Sequence, residues 1–263
     1  MGNSLIVQKN NGVVIATLNK PEQRNAFDDE MIAGLEQLVA EINADRAQKV
    51  LIITGAGTAF CAGGDVKQMQ NKTGMFGGSS SDIRQQYRFG IQRVPRALYD
   101  LEVPSIAAVN GPAYGAGCDL TTMCDIRIAS PKAVFAESFV KLGLIPGDGG
   151  AWLLPRAVGM SRAAEMTFTG DAIDAETAES WGLVSKVVAE EQLLAEAQAL
   201  AERIASNPSD ALRGSKRLLV EGQRQSLHSI LELSASLQSG LHHGEDHEEA
   251  VNAMLEKRKP NFK

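Results

Sequence analysis

Two short glycine-bearing corners constrain this chain more than any other feature. Gly63-Gly64-Asp65 follows Ala59-Phe60-Cys61-Ala62, and Gly115-Ala116-Gly117-Cys118-Asp119 follows Asn110-Gly111. An apolar run stands before each: Val50-Leu51-Ile52-Ile53-Thr54 before the first, Ser105-Ile106-Ala107-Ala108-Val109 before the second. Each corner also leads into residues able to start a helix. Small residues where a strand turns into a helix leave main-chain N–H groups unpaired and reachable. Two such corners aimed at one point would cradle a developing oxyanion, a catalytic device that needs no special side chain.

The pattern around the corners is that of a layered α/β core. Residues 4–9 and 13–18 alternate about Asn10-Asn11-Gly12, which predicts a hairpin. Asp28-Asp29-Glu30 opens an amphipathic helix to about residue 44, with Met31, Leu35, Leu38, Val39 and Ile42 on one face. A strand at 49–54, a short helix at 65–70, a helix at 82–101, a strand at 105–109, a buried helix at 117–123 and a strand at 126–129 follow. Residues 71–81, rich in Gly and Ser, read as a loop, either a flap or inert surface. From Ser161 onward helical patterns dominate, with a lone strand at 184–188. The expected division is a core over 1–195 and a helical oligomerisation region over 196–263.

Charge and composition exclude several classes. The 263 residues carry a formal net charge of −6, which disfavours nucleic acid as the main partner. No apolar run approaches the roughly 20 residues of a membrane span. The N-terminus lacks signal-peptide regions, so the cytoplasm is the expected compartment. Cys61, Cys118 and Cys124 form no C-x-x-C pair and read as buried apolar residues. His242-His243-Gly244-Glu245-Asp246-His247 looks like a ligand cluster, yet its acids suit a helix N-terminus, and no metal is expected.

Further blocks extend these corners along the chain: Arg24-Asn25-Ala26, Cys124-Asp125-Ile126, Leu142-Gly143-Leu144-Ile145-Pro146-Gly147, Leu154-Pro155-Arg156, Thr169-Gly170 and Trp181-Gly182-Leu183-Val184. With the two corners, in this order, they resemble the crotonase superfamily, the enoyl-CoA hydratase/isomerase family, over essentially the whole sequence. The resemblance implies a ClpP/crotonase-like spiral of ββα units with C-terminal helices that mediate trimer contacts, often in a dimer of trimers. It also implies an acyl-coenzyme A thioester as substrate, with no cofactor beyond the coenzyme A it carries. The oxyanion donors map to the Gly64 and Ala116 amides. Arg24, Ala26, Ala62, Gly63, Asp65, Val66 and Lys67 map to the segments that border coenzyme A, and Lys67 to a lysine near its phosphates.

Two positions depart from the hydratase pattern. The first of the two water-holding glutamates maps to Asp119, and the second to Phe139, which carries no proton. Glu137 and Asp148 are the acids nearby that stand to compensate. As structural alternatives, Glu137 would favour the start of a short helix at 137–141 and Asp148 would cap a helix starting near Gly149. Met69, Phe76, Phe139 and Trp152 are candidates for the acyl pocket. The open readings are double-bond isomerisation, hydration, and a catalytically inactive acyl-CoA-binding scaffold.

Overall fold

The structure is a computed structural model that describes residues 4–262. Its frame is a six-stranded sheet in the order β1-β2-β3-β4-β6-β9. These strands are β1 (Leu5–Asn10), β2 (Val13–Leu18), β3 (Val50–Gly55), β4 (Ser105–Val109), β6 (Ile126–Ala129) and β9 (Lys186–Val187). β1 and β2 form the expected antiparallel hairpin, and every later neighbour in this sheet is parallel. Parallel strands need both faces covered, and the period-2 alternation of β3 provides it. Leu51 and Ile53 face the larger cluster, with Leu18, Phe27, Met31 and Leu35. Val50 and Ile52 face a smaller one completed by Leu193, Ala197 and Ala201.

The helix α1 (Asp29–Ala44) begins where the Asp28 carboxylate accepts from the Met31 N–H at 2.8 Å. Its apolar stripe, Met31, Leu35, Leu38, Val39 and Ile42, is buried as its 3.6-residue spacing requires. The short helix α2 (Val66–Asn71) starts on Asp65, whose side chain accepts from the Lys67 N–H at 2.8 Å. Residues 71–81 are more ordered in form than a plain loop. They hold one 3-10 turn at Gly74–Phe76 and then a capping box in which Ser79 and Asp82 open α3 (Ser80–Gln86).

The single helix expected over 82–101 is interrupted. After α3 the chain makes a π turn at Tyr87–Ile91, with Gly90 at φ −106° and ψ −109°, before α4 (Arg93–Tyr99). Glycine gives up helical geometry at low cost, so the apolar periodicity continues while the helix does not.

A second sheet of three short strands lies beside the first: β5 (Ala113–Tyr114), β7 (Val134–Ala136) and β8 (Ile173–Asp174). β5 leads into α5 (Ala116–Met123), which is buried throughout. The remaining helices are α6 (Gly150–Val158), α7 (Met160–Thr169), α8 (Ala175–Ser180), α9 (Leu193–Ala205), α10 (Ser209–Gly222), α11 (Leu227–Leu241) and α12 (Glu245–Glu256). The expected division after residue 195 falls inside α9, a continuous helix whose Leu193, Ala197 and Ala201 pack on the sheet.

Two buried cations tie α10 to the core. Arg213 donates to the carbonyls of Ile42, Asp45 and Gln48 and to the Glu102 carboxylate. Lys216 donates to the Val103 carbonyl and pairs with Asp125, each at 2.8 Å. Beyond them, Leu219, Leu227, Leu231, Met254 and Leu255 are exposed. Among the described residues no helix is long and apolar enough to cross a membrane.

Candidate functional site

The two corners lie side by side. Cys61 bridges Ala113 in parallel register, the Phe60 N–H donates to the Pro112 carbonyl at 3.1 Å, and the Tyr114 N–H donates to the Cys61 carbonyl at 3.0 Å. The approach is close enough to require glycine. Gly63 has φ +79°, and a Cβ there would lie 2.5 Å from the Tyr114 carbonyl oxygen and 3.1 Å from the Ala116 nitrogen. Gly64 and Ala116 line one cavity of about 630 Å³. Neither of their N–H groups has a protein hydrogen-bond partner among the described residues. Ala116 is also the first residue of α5, where the helix dipole favours negative charge.

The segment before α1 is fastened to the first corner by a residue whose importance the sequence did not disclose. The buried Asn25 amide donates to the carbonyls of Ala56, Ala59 and Phe60 and accepts from the Lys20 N–H. Ala62 then donates to the Arg24 carbonyl at 2.9 Å, and Phe27 to the Gly63 carbonyl at 2.8 Å. This places Arg24, Ala26 and Ala62 on the cavity wall, with Asp65, Val66 and Lys67 beside them. Gly63 itself is buried and lies behind that wall.

Part of the wall is apolar, formed by Met69, Met75, Phe76, Ile91 and Phe139. Phe139 packs on Gly115, whose added Cβ would meet the ring at 3.5 Å. Tyr87, Tyr114 and Met75 had not been expected there. An apolar Met75-Phe76 pair within a Gly/Ser-rich stretch was the available signal for Met75. Tyr87 opens the π turn that takes the place of the expected continuous helix, a change the sequence pattern conceals.

Asp148 lines the same cavity and is buried. It caps nothing: Gly149 precedes α6, with no side-chain cap. Burial, then the nearby Glu137 carboxylate, push the Asp148 carboxyl up to about 7. Asp119 and Glu137 stand behind the wall, fully buried, and Glu137 does not cap the 3-10 turn that follows it. Desolvation raises both, and the Glu137 and Asp148 charges hold Asp119 well above the usual carboxylate range. The three thiols are buried and raised by desolvation, Cys61 and Cys124 to about 12, so they are held as neutral thiols.

Trp152 is the candidate that the structure sends elsewhere. It lines a second cavity of about 390 Å³, its ring 5.6 Å from that of Tyr99 and 3.8 Å from the Arg156 guanidinium carbon. Helical geometry is the reason: Gly150 of α6 faces Asp119, and two residues further on a helix points about 200° away. Asp125 accepts from Ser105 and Lys216, a structural role. Among the described residues no group of three or more His, Cys, Asp or Glu is placed to hold a metal; His242 and His247 hydrogen-bond each other at 3.1 Å.

A spiral-wound α/β core with C-terminal helices, turned around two adjoining corners, is the architecture of crotonase-fold enzymes. The solved enoyl-CoA hydratase of Bacillus anthracis superposes with a TM-score of 0.92 at 35% identity, covering 99% of each chain. A family model described as Enoyl-CoA hydratase/isomerase matches residues 8–263. A crotonyl-CoA hydratase of Syntrophomonas wolfei is 38% identical over 98% of this chain and 97% of its own. A 1,2-epoxyphenylacetyl-CoA isomerase of Escherichia coli is 38% identical over 95% of each. The chain belongs to the enoyl-CoA hydratase/isomerase family, and it is an enzyme.

Proposed function

We propose that this enzyme moves a double bond along the acyl chain of an enoyl-CoA thioester, with Asp148 carrying the proton. The observation that carries this reading is the position of Asp148, the buried carboxyl on the wall of the cavity that also holds the Gly64 and Ala116 amides.

A thioester α-proton is too weakly acidic for a carboxylate to remove unless the enolate oxygen is stabilised. The two main-chain N–H groups would donate to that oxygen, and each such donor contributes about 10²–10³ in rate. Asp148, poised near neutrality, would take the α-proton and return it to the γ carbon. Hydration additionally needs a second acid–base group to hold a water, and the position expected to supply it is Phe139, on the apolar part of the wall. Hydration remains the second reading, because relatives of equal identity carry hydratase and isomerase names. The inactive-scaffold alternative rested on Phe139, and the buried Asp148 on the same wall supplies the acid that Phe139 lacks.

Coenzyme A would lie along Ala26, Ala62, Asp65 and Val66, with the exposed cations Arg24 and Lys67 toward its phosphates. No metal or added cofactor is required by this chemistry. The exposed apolar residues of α10, α11 and α12 support a homo-oligomer, a trimer or a dimer of trimers. The cytoplasm is the proposed compartment.

Purified enzyme should be assayed for the 3-enoyl to 2-enoyl shift, the 3,5-dienoyl to 2,4-dienoyl shift and crotonyl-CoA hydration. Isomerisation should exceed hydration, and Asp148→Asn should abolish it. Hydration as the dominant activity, unaffected by Asp148→Asn, would overturn the proposal.

A further inference from the structure

Behind Asp148 lie two carboxyls that the proposed reaction leaves idle. Asp119 is 0% exposed and Glu137 is 1% exposed. No N–H or O–H of the described residues makes a well-formed hydrogen bond to any of their four oxygens. No Lys, Arg or His is among the groups acting on either; the Gly150 amide and the Cys118 thiol give only partial relief. Two unpaired carboxylates in contact within an apolar interior cannot both be charged. Asp119 and Glu137 act on each other unequally, Glu137 raising Asp119 and Asp119 lowering Glu137, so Asp119 is the one that holds the proton.

The backbone builds this contact. The Gly115 N–H donates to the Ala136 carbonyl at 2.8 Å, and the Asp119 N–H donates to the Gly115 carbonyl at 3.0 Å, so both acids hang from the second corner. Gly150 clears the remaining space: a Cβ there would fall 1.8 Å from Asp119 Oδ1.

We propose that Glu137 is a positioning residue that retains one proton on Asp119, so that the buried pair carries a single charge and Asp148 works in its field. This rests on the reading of Asp148 as the proton carrier. The other titratable groups facing Asp148 are Tyr87 and Cys61, both raised by burial and therefore neutral. Burial raises Asp148 most, and the Glu137 charge adds to it, so that Asp148 stays partly protonated near neutral pH. A group that must take a proton from one carbon and deliver it to another needs both forms accessible.

The test is the pH profile of kcat/KM for wild type, Glu137→Gln and Glu137→Asp, combined with infrared spectra of the carboxyl stretch. Glu137→Gln should shift the acid limb about one pH unit lower, with KM unchanged, and Glu137→Asp should restore it. The wild-type spectrum at about pH 9 should retain a buried protonated-carboxyl band that Asp119→Asn removes. A uniform loss of kcat with an unmoved limb would make Glu137 a packing residue and overturn the proposal. So would a wild-type spectrum without that band, a measurement that needs no variant to fold. Failure of Asp148→Asn to change turnover would sink the proposed function while leaving the band in place, so the two failures are distinguishable.

Discussion

Replacing Gly63 by alanine should test whether the spacing of the two corners matters to turnover. A Cβ at this position lies 2.5 Å from the Tyr114 carbonyl oxygen, where contacts below 3.0 Å are essentially never found. The Tyr114–Ala116 segment must therefore back away by about half an ångström, carrying the Ala116 amide with it. Misplacing a catalytic group by about 1 Å can cost about 10²-fold, and losing one donor outright about 10²–10³. The expected loss in kcat is then about tenfold to 10²-fold. Stability falls too, by about 1–2 kcal/mol for a left-handed backbone with a side chain and about 1–3 kcal/mol for overpacking. Gly182→Ala is the control: its φ is +78°, but an added Cβ meets nothing within 4 Å. Thermal melts and steady-state assays on both variants separate strain from displacement. Both should melt lower than wild type, and only Gly63→Ala should lose turnover. If folded Gly63→Ala turns over within twofold of Gly182→Ala, the argument from adjoining amides is wrong.

Asp148→Asn should lower kcat at least 10²-fold while coenzyme A affinity, measured by calorimetry, is unchanged. Its effect on stability runs the other way. A carboxyl whose folded value is raised from 3.8 to about 7 contributes stability below the unfolded value that is lost as pH rises toward 7. Melts across pH should therefore show Asp148→Asn gaining on wild type between about pH 4 and 7, by at most about 4 kcal/mol. Arg213→Met should orphan several carbonyls under α10 and cost about 2–3 kcal/mol, read as a lower Tm with kcat per folded enzyme unaltered.

Most of the frame was legible because it is periodic. The alternation in β3 and the spacing of Met31, Leu35, Leu38 and Ile42 are local signals, and the structure places those residues as the pattern directs. The corners were legible because small residues there have few other uses. What the sequence withheld was which acid faces the cavity. Asp119, Glu137 and Asp148 come from α5, the end of β7 and the loop before α6, so their order from wall to interior depends on how β5 pairs with β7. Trp152 misled for a related reason, since an aromatic near a site says nothing of the helix face it occupies. Asn25 was hidden because its work, satisfying carbonyls of a turn over thirty residues away, leaves no local pattern.

The interruption at Gly90 separates two duties that a straight helix would have bound together. Tyr87, on the turn before it, lines the cavity; Gln92, just after it, donates to the Gly147 carbonyl at 2.9 Å and so steadies the loop bearing Asp148. An insertion or deletion at the break would shift Tyr87 on the cavity wall and against Gly147, while Gln92 kept its hold on the same loop. Evolutionary drift in this short turn would therefore reach the loop that carries Asp148 from both sides of the break at once.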